Sequence, residues 1–190
     1  MNNLQTPRTI ITGTGRAGTS VLMEIFTRFG FDTGFDTKNV KKAYLKGARA
    51  GLEVLPSPSG PAFVKAIELS GKIGQMVEQG YVIERVIVPI RGLAQAVESR
   101  AAIGDEKSGK PGALLAPKVE QANEFAHNNY RICLDCARNM IPLHFIEFPL
   151  FAREFEYFYG RMLDIFGRDS VARWEECWFL SVDQEKINRY

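Results

Sequence analysis

A glycine-rich stretch near the amino terminus carries the clearest chemistry in this chain. A short β-branched run, residues 9–12, is followed by Gly13, Gly15 and Gly18, and then by apolar residues at helical spacing. Glycines allow backbone N–H groups to approach an anion closely, and the amino end of a helix favours negative charge. The order of strand, glycine loop and helix therefore predicts a cradle for a phosphate or a similar anion.

Two nucleotide-binding motifs fit the same glycine spacing. Residues 13–18 match the G-x-G-x-x-G fingerprint of dinucleotide-binding proteins, whereas residues 13–20 match a P-loop in which Thr19 replaces the lysine. The dinucleotide motif also needs an acidic residue about 20 positions further on, at the end of a second apolar strand. Asp32 and Asp36 lie at that distance, but the residues around them offer almost no apolar strand.

The segment from Arg16 to Ser20 resembles the 5′-phosphosulfate-binding loop of the sulfotransferase family. In that loop a basic residue, a small residue, Gly, Thr and Thr or Ser follow the first strand. The resemblance implies that Arg16 grips the phosphosulfate of the donor, 3′-phosphoadenosine 5′-phosphosulfate, while backbone amides and two hydroxyls cradle it. The alternative is a tight strand–helix turn without a ligand. The implied cradle consists of Gly13, Thr14, Gly15, Arg16, Ala17, Gly18, Thr19 and Ser20.

A second resemblance to the same family follows the clearest predicted strand, the apolar run of residues 82–90. Arg91 ends this run, and Ser99 follows on a predicted helix. In sulfotransferases an arginine and a serine at this spacing bind the 3′-phosphate of the donor, so the resemblance implies that role for Arg91 and Ser99. The chemistry is suitable, because arginine offers a forked, permanently charged donor and serine adds a neutral one.

A third part of the resemblance lies on the predicted strand of residues 63–67. Many sulfotransferases end such a strand with a lysine, a small residue and a histidine base. Lys65 matches the lysine, but Ile67 stands at the histidine position, and Glu68 is the substitute base that we consider. Lys65 and Arg16 are then the implied catalytic cations beside the transferred sulfuryl group. Two residues on a later predicted strand are reserve bases: His144 and Glu147.

The rest of the chain must bring these segments to one edge of a sheet. Strand and helix patterns alternate along the 190 residues, which predicts one domain over residues 1–190 of the α/β class. Its expected architecture has three layers, with a central, mainly parallel sheet flanked by helices and ligands at the carboxyl ends of the strands. The resemblance implies that this fold is P-loop NTPase-like. Predicted strands cover residues 9–12, 63–67, 82–90 and 143–148, and longer helices cover 113–139 and 151–166.

Composition narrows the class of protein. The net charge of +2 is smaller than the strongly positive charge that is typical of a general nucleic-acid binder. No apolar run approaches a membrane span, and the first five residues lack the regions of a signal peptide. We therefore expect a cytoplasmic protein that binds neither nucleic acid nor membrane. Cys133 and Cys136 form a CxxC inside a helical pattern without a second ligand pair, so we expect packing rather than a metal or redox site.

The resemblance implies a sulfotransferase that needs no metal ion and moves the sulfuryl group in line to a hydroxyl or amine. The acceptor is expected to be a small molecule or a carbohydrate, and a homodimer is one way to complete its pocket. Two other functions stay open: an ATP-dependent P-loop kinase and a nucleotide-binding module without catalysis. This chain lacks the loop lysine and the magnesium-binding aspartate that such a kinase needs. The polar segment 104–112 is expected to be a mobile connector or a lid.

Overall fold

The computed structural model of this protein describes residues 6–44, 51–99, 118–167 and 170–183. Four strands form its central sheet: β1 (Arg8–Ile11), β2 (Phe63–Lys65), β3 (Ile83–Ile90) and β4 (Leu143–Glu147). They lie in the order β2-β1-β3-β4, and every pairing is parallel. The carboxyl ends of all four strands therefore face one edge of the sheet, and the predicted mixed α/β fold with a parallel sheet is confirmed.

Helices flank this sheet. In chain order they are α1 (Thr19–Phe29), α2 (Ile73–Glu78), α3 (residues 93–99), α4 (Lys118–Arg138), α5 (Leu150–Arg153), α6 (Phe155–Phe166) and α7 (Val171–Ser181). The single helix predicted over 151–166 is wrong, because extended backbone at Glu154 (φ −123°, ψ 109°) separates α5 from α6. The predicted loop 104–112 and the start of the helix predicted from residue 113 lie outside the described residues.

Side chains that alternate along the strands build a core on each face of the sheet. On one face Ile11 and Ile87 pack with α1, α5, α6 and α7. On the other face Ile10 and Val86 pack with α2 and α4. The helix that follows β1 and the long helix after β3 thus cover opposite faces. Where the connections from two neighbouring parallel strands lead to opposite faces of the sheet, a crevice opens at the carboxyl ends of these strands. The glycine loop and the end of β3 lie at this crevice.

Arg8, at the start of β1, is a buried arginine that holds the proline-rich loop before β2. Its side chain is fully buried. The guanidinium donates hydrogen bonds to four carbonyls of that loop, those of Ser57 (2.8 Å), Pro58 (3.2 Å), Gly60 and Pro61. This single side chain therefore supplies hydrogen-bond donors to loop carbonyls that have no partner in a helix or a sheet.

We expect Arg8→Met to lower the free energy of unfolding by about 2–3 kcal/mol, because several carbonyls lose a charged donor while most of the side-chain volume is kept. Urea denaturation measures the change. Arg138→Met, at an exposed position at the end of α4, is the control and should change stability by less than about 0.5 kcal/mol. A similarly small effect at Arg8 would contradict its role in holding the loop.

The cysteines of the CxxC lie on α4. Both thiols are free, and Cys136 is buried in the core between α4 and the sheet. Burial, with smaller effects of Asp135 and Cys133, raises the pKa of Cys136 to about 12. The described residues contain no cluster of three His, Cys, Asp or Glu side chains that could hold a metal ion. None of their helices has the length and apolar character needed to span a membrane.

Candidate functional site

The glycine loop between β1 and α1 is wound through left-handed backbone conformations. Gly13, Gly15 and Gly18 have φ values of 145°, 72° and 83°, and Arg16 among them has φ of 58°. Glycine adopts this region readily, whereas a residue with a side chain is disfavoured by about 1–2 kcal/mol. Strain retained at a residue such as Arg16 is typical of segments that bind ligands.

The amino end of α1 presents backbone N–H groups next to this loop. Gly18 is the N-cap residue, and no side chain of the described residues caps the helix. The first bond along the helix runs from the Leu22 N–H to the Gly18 carbonyl. The N–H groups of Thr19, Ser20 and Val21 precede that bond and have no acceptor within the helix. Together with the helix dipole, they suit an anion placed above the loop.

The structure brings the end of β3 and α3 against the same loop. The Arg16 Nε atom lies 3.5 Å from Ser99 Oγ, and the Arg91 guanidinium donates to the Arg16 carbonyl at 3.4 Å. Ser99 is only 2% exposed, and Arg91 is partly buried. Three residues that were predicted from separate segments therefore meet between the carboxyl ends of β1 and β3.

Positive charge is concentrated around Arg91. Its guanidinium carbon lies 5.4 Å from the ring centre of Phe148, in the turn after β4. Burial lowers the pKa of Arg91, and the nearby positive charge of Arg153 on α5 lowers it further, against an opposing effect of Glu98. Arginine nevertheless stays charged at neutral pH. Sequence reasoning missed Phe148 and Arg153, because no motif marks them and only the strand order places the β4–α5 turn beside Arg91.

Two aromatic rings form the floor of the glycine loop. A Cβ atom added to Gly18 would lie 2.6 Å from Phe148 Cδ2 and 2.8 Å from Phe151 Cζ. The φ of 83° at this position already favours glycine. Gly18 is therefore required both by the backbone conformation and by the close approach of the β4–α5 turn.

Lys65 lies at the carboxyl end of β2, with a side chain that is 1% exposed. Its ammonium donates to Ser20 Oγ at 2.9 Å, the Gly51 carbonyl at 2.5 Å and the Glu53 carboxylate at 2.7 Å. These bonds use all three ammonium protons. Burial lowers the pKa of Lys65, and the bond to Glu53 opposes that change. The lysine thus reaches the cradle through Ser20, and direct contact with a transferred group would require one of these bonds to break.

Glu68 lies in the short 3₁₀ turn Ile67–Leu69 that follows β2. Its backbone is therefore at the same edge of the sheet as the glycine loop, and its role as a base stays a prediction. Ile67, which stands where the family has a histidine, is 38% exposed. Its Cδ1 atom would lie 3.1 Å from a Cβ placed on Gly15, so this apolar side chain borders the loop.

The two reserve bases occupy different positions on β4. Glu147 is exposed and lies at the carboxyl end of the strand, which is the edge that carries the glycine loop. His144 lies further back, opposite Ile87 of β3. Burial, followed by the charges of Arg85 and Arg161, lowers the pKa of His144. Glu147 is consequently better placed than His144 to act at this edge.

The acidic residues of the dinucleotide motif do not lie where that motif needs them. The Asp32 carboxylate accepts a hydrogen bond from the Ala62 N–H at 3.0 Å, next to the amino end of β2. A ribose-binding acid lies instead at the carboxyl end of a strand. Residues 31–36, all within the described range, contain no strand, and Asp36 accepts a local bond from the Lys38 N–H. These positions disfavour the dinucleotide interpretation.

Comparisons of this chain with protein-family models, with curated proteins and with solved structures find no match. The geometry of the loop, the arginines and the residues that surround them is therefore what indicates the function of this chain.

Proposed function

We propose that this protein is a sulfotransferase-like enzyme. It binds 3′-phosphoadenosine 5′-phosphosulfate and transfers the sulfuryl group to a hydroxyl or amine of a small-molecule or carbohydrate acceptor. The observation that carries the proposal is the meeting of Arg16, Arg91 and Ser99 beside the glycine loop. A donor with a phosphosulfate and a separate 3′-phosphate needs two anion subsites, and the proposal assigns the first to Arg16 with the glycine loop and the second to Arg91 with Ser99. A glycine loop at the switch point of a parallel sheet also supports the P-loop NTPase-like fold.

In the proposed complex, the phosphosulfate lies on the N–H groups of residues 13–20 with Arg16 beside it. These donors are held by the backbone and need little rearrangement when the ligand arrives. Arg91 and Ser99 bind the 3′-phosphate through a charged fork and a hydroxyl. Arg153 adds positive charge at the same edge. This distribution of charge favours a nucleotide with two phosphate groups over a monophosphate.

The transfer step follows from this placement. The acceptor oxygen or nitrogen attacks sulfur while the bond between sulfur and the bridging phosphate oxygen breaks, and adenosine 3′,5′-bisphosphate leaves. The acceptor's proton passes to a base, for which Glu68 is the candidate. Arg16 opposes the negative charge of the transferring group directly. Lys65 adds its charge from beneath the first turn of α1, through the bond to Ser20.

The contact between Lys65 and Ser20 supports transfer without a metal ion. In a P-loop the hydroxyl at the position of Ser20 binds Mg²⁺. Here the Lys65 ammonium lies 2.9 Å from that hydroxyl oxygen, and a cation at this distance repels a divalent metal. An ATP-dependent kinase needs that metal, so the lysine favours sulfuryl transfer over the kinase alternative.

We expect the protein to transfer radiolabelled sulfuryl groups from the donor to hydroxyl or amine acceptors at the same rate in EDTA as in Mg²⁺. Glu68→Gln should lower the rate without weakening donor binding, and the loss should shrink at high pH, where the acceptor ionises more easily. Glu78→Gln, at an exposed position on α2, is the matched control. Phosphoryl transfer from ATP–Mg²⁺ to the same acceptors, with none from the sulfate donor, would contradict the proposal.

A further inference from the structure

A short arm before β2 contacts the candidate site at Lys65 and at Ser20. The arm, residues 51–54, runs antiparallel to the end of β2. The Val54 N–H donates to the Lys65 carbonyl at 2.9 Å, and the Lys65 N–H donates to the Val54 carbonyl at 3.2 Å. From this arm Glu53 places a carboxylate oxygen 2.7 Å from Lys65 Nζ, although 43% of the glutamate side chain is exposed.

Ser20 is the residue on which these contacts converge. Its hydroxyl donates to the Gly51 carbonyl at 3.1 Å and accepts from Lys65 Nζ at 2.9 Å. The Tyr44 hydroxyl shares its one proton between the Ser20 carbonyl at 3.2 Å and the Glu24 carboxylate at 2.9 Å. Ser20 is also the second residue of α1 and belongs to the turn whose N–H groups border the glycine loop. Residues outside α1 therefore contact the first turn of this helix at both the side chain and the backbone carbonyl of Ser20.

Among the three acceptors of the Lys65 ammonium, Glu53 alone carries a negative charge. A buried ammonium is unfavourable unless a counter-charge and hydrogen bonds compensate for the lost water. The nearby Glu24 does not replace Glu53, because its carboxylate oxygens bind Arg28 at 2.7 Å and the Tyr44 hydroxyl at 2.9 Å. Removing the charge of Glu53 would thus weaken the hold of Lys65 on Ser20.

We propose that Glu53 is a positioning residue of the candidate site, which holds Lys65 on Ser20 and so fixes the first turn of α1 for the anion. The identity of that anion as the donor nucleotide rests on the proposed function. The contacts from the arm to α1 do not depend on the identity of the anion, so the role of Glu53 and the proposed function can be tested separately.

The first test uses Glu53→Gln, which keeps the size of the side chain and removes its charge. We expect the affinity for adenosine 3′,5′-bisphosphate to fall about tenfold in calorimetric titrations under conditions where the variant is fully folded. Glu53→Asp, which restores the charge, should recover part of the affinity. Glu156→Gln, at an exposed position on α6, should bind as the wild type does. A variant that loses stability but binds with wild-type affinity would overturn the positioning role.

The second test needs no ligand. Carbon NMR of the lysine Cε atoms gives the pKa of Lys65, and amide NMR follows Ser20. We expect Glu53→Gln to lower the pKa of Lys65, because burial then acts without its counter-charge, and to shift the Ser20 amide signal. Unchanged signals at both residues would overturn the proposal. If the wild type fails to bind the bisphosphate, the proposed function fails, while these signals still decide whether Glu53 positions Ser20.

Discussion

Gly18→Ala is expected to lower the free energy of unfolding by about 2–5 kcal/mol, which urea denaturation would measure. The φ of 83° at this residue is unfavourable for alanine by about 1–2 kcal/mol. The added Cβ would also lie 2.6 Å from Phe148 and 2.8 Å from Phe151. Both rings would have to move, and such overpacking adds about 1–3 kcal/mol.

Gly160→Ala is the matched control for this substitution. Gly160 lies within α6, and a Cβ placed there meets no atom within 4 Å. Because alanine favours a helix over glycine by about 1 kcal/mol, this variant should be as stable as the wild type or slightly more so. Wild-type stability in Gly18→Ala would contradict the packing of the glycine loop on the β4–α5 turn.

Arg91→Ala is expected to remove most of the preference for adenosine 3′,5′-bisphosphate over adenosine 5′-monophosphate. A hydrogen bond to a charged group contributes about 1.5–3 kcal/mol, so the affinity for the bisphosphate should fall about 10- to 100-fold. The affinity for the monophosphate should change little, because the glycine loop still holds the 5′ group. Calorimetric titration of the variant with both nucleotides measures the difference.

Arg85→Ala serves as the control because Arg85 lies near the start of β3, whereas Arg91 directly follows its end. The Arg85 guanidinium lies 5.1 Å from the ring centre of Phe166 and donates to the Ile165 carbonyl, away from the glycine loop. This variant should keep the preference for the bisphosphate even if its stability falls. An equal loss of affinity for both nucleotides in Arg91→Ala would show that Arg91 supports the loop rather than a 3′-phosphate.

The elements with local signals were predictable from the sequence. The apolar run of β3 marks a strand buried on both faces, and Gly30, which directly follows the last apolar residue of α1, ends that helix in a left-handed conformation (φ 107°). The break at Glu154 was not predictable, because neither glycine nor proline stands there. It separates α5, whose Phe151 packs under Gly18, from the rest of the helical pattern.

The candidate site was predictable only in part, because only some of its residues form a pattern along the chain. The glycine loop and the spacing of Arg91 and Ser99 are patterns along the chain. The surroundings of Lys65 are not, because they depend on an arm that pairs with β2 and on the neighbouring β1 and α1. Lys65 bonds to Ser20 and Glu53, and the place beside a transferred group that the family resemblance implies for it stays a prediction.

Calorimetric titration of the wild-type protein with adenosine 3′,5′-bisphosphate and with adenosine 5′-monophosphate, in metal-free buffer, tests the central claim most directly. The two nucleotides differ only in the 3′-phosphate, which we assign to Arg91 and Ser99. We expect the bisphosphate to bind at least about tenfold more tightly. Equal affinities for the two nucleotides would contradict a binding site for 3′-phosphoadenosine 5′-phosphosulfate.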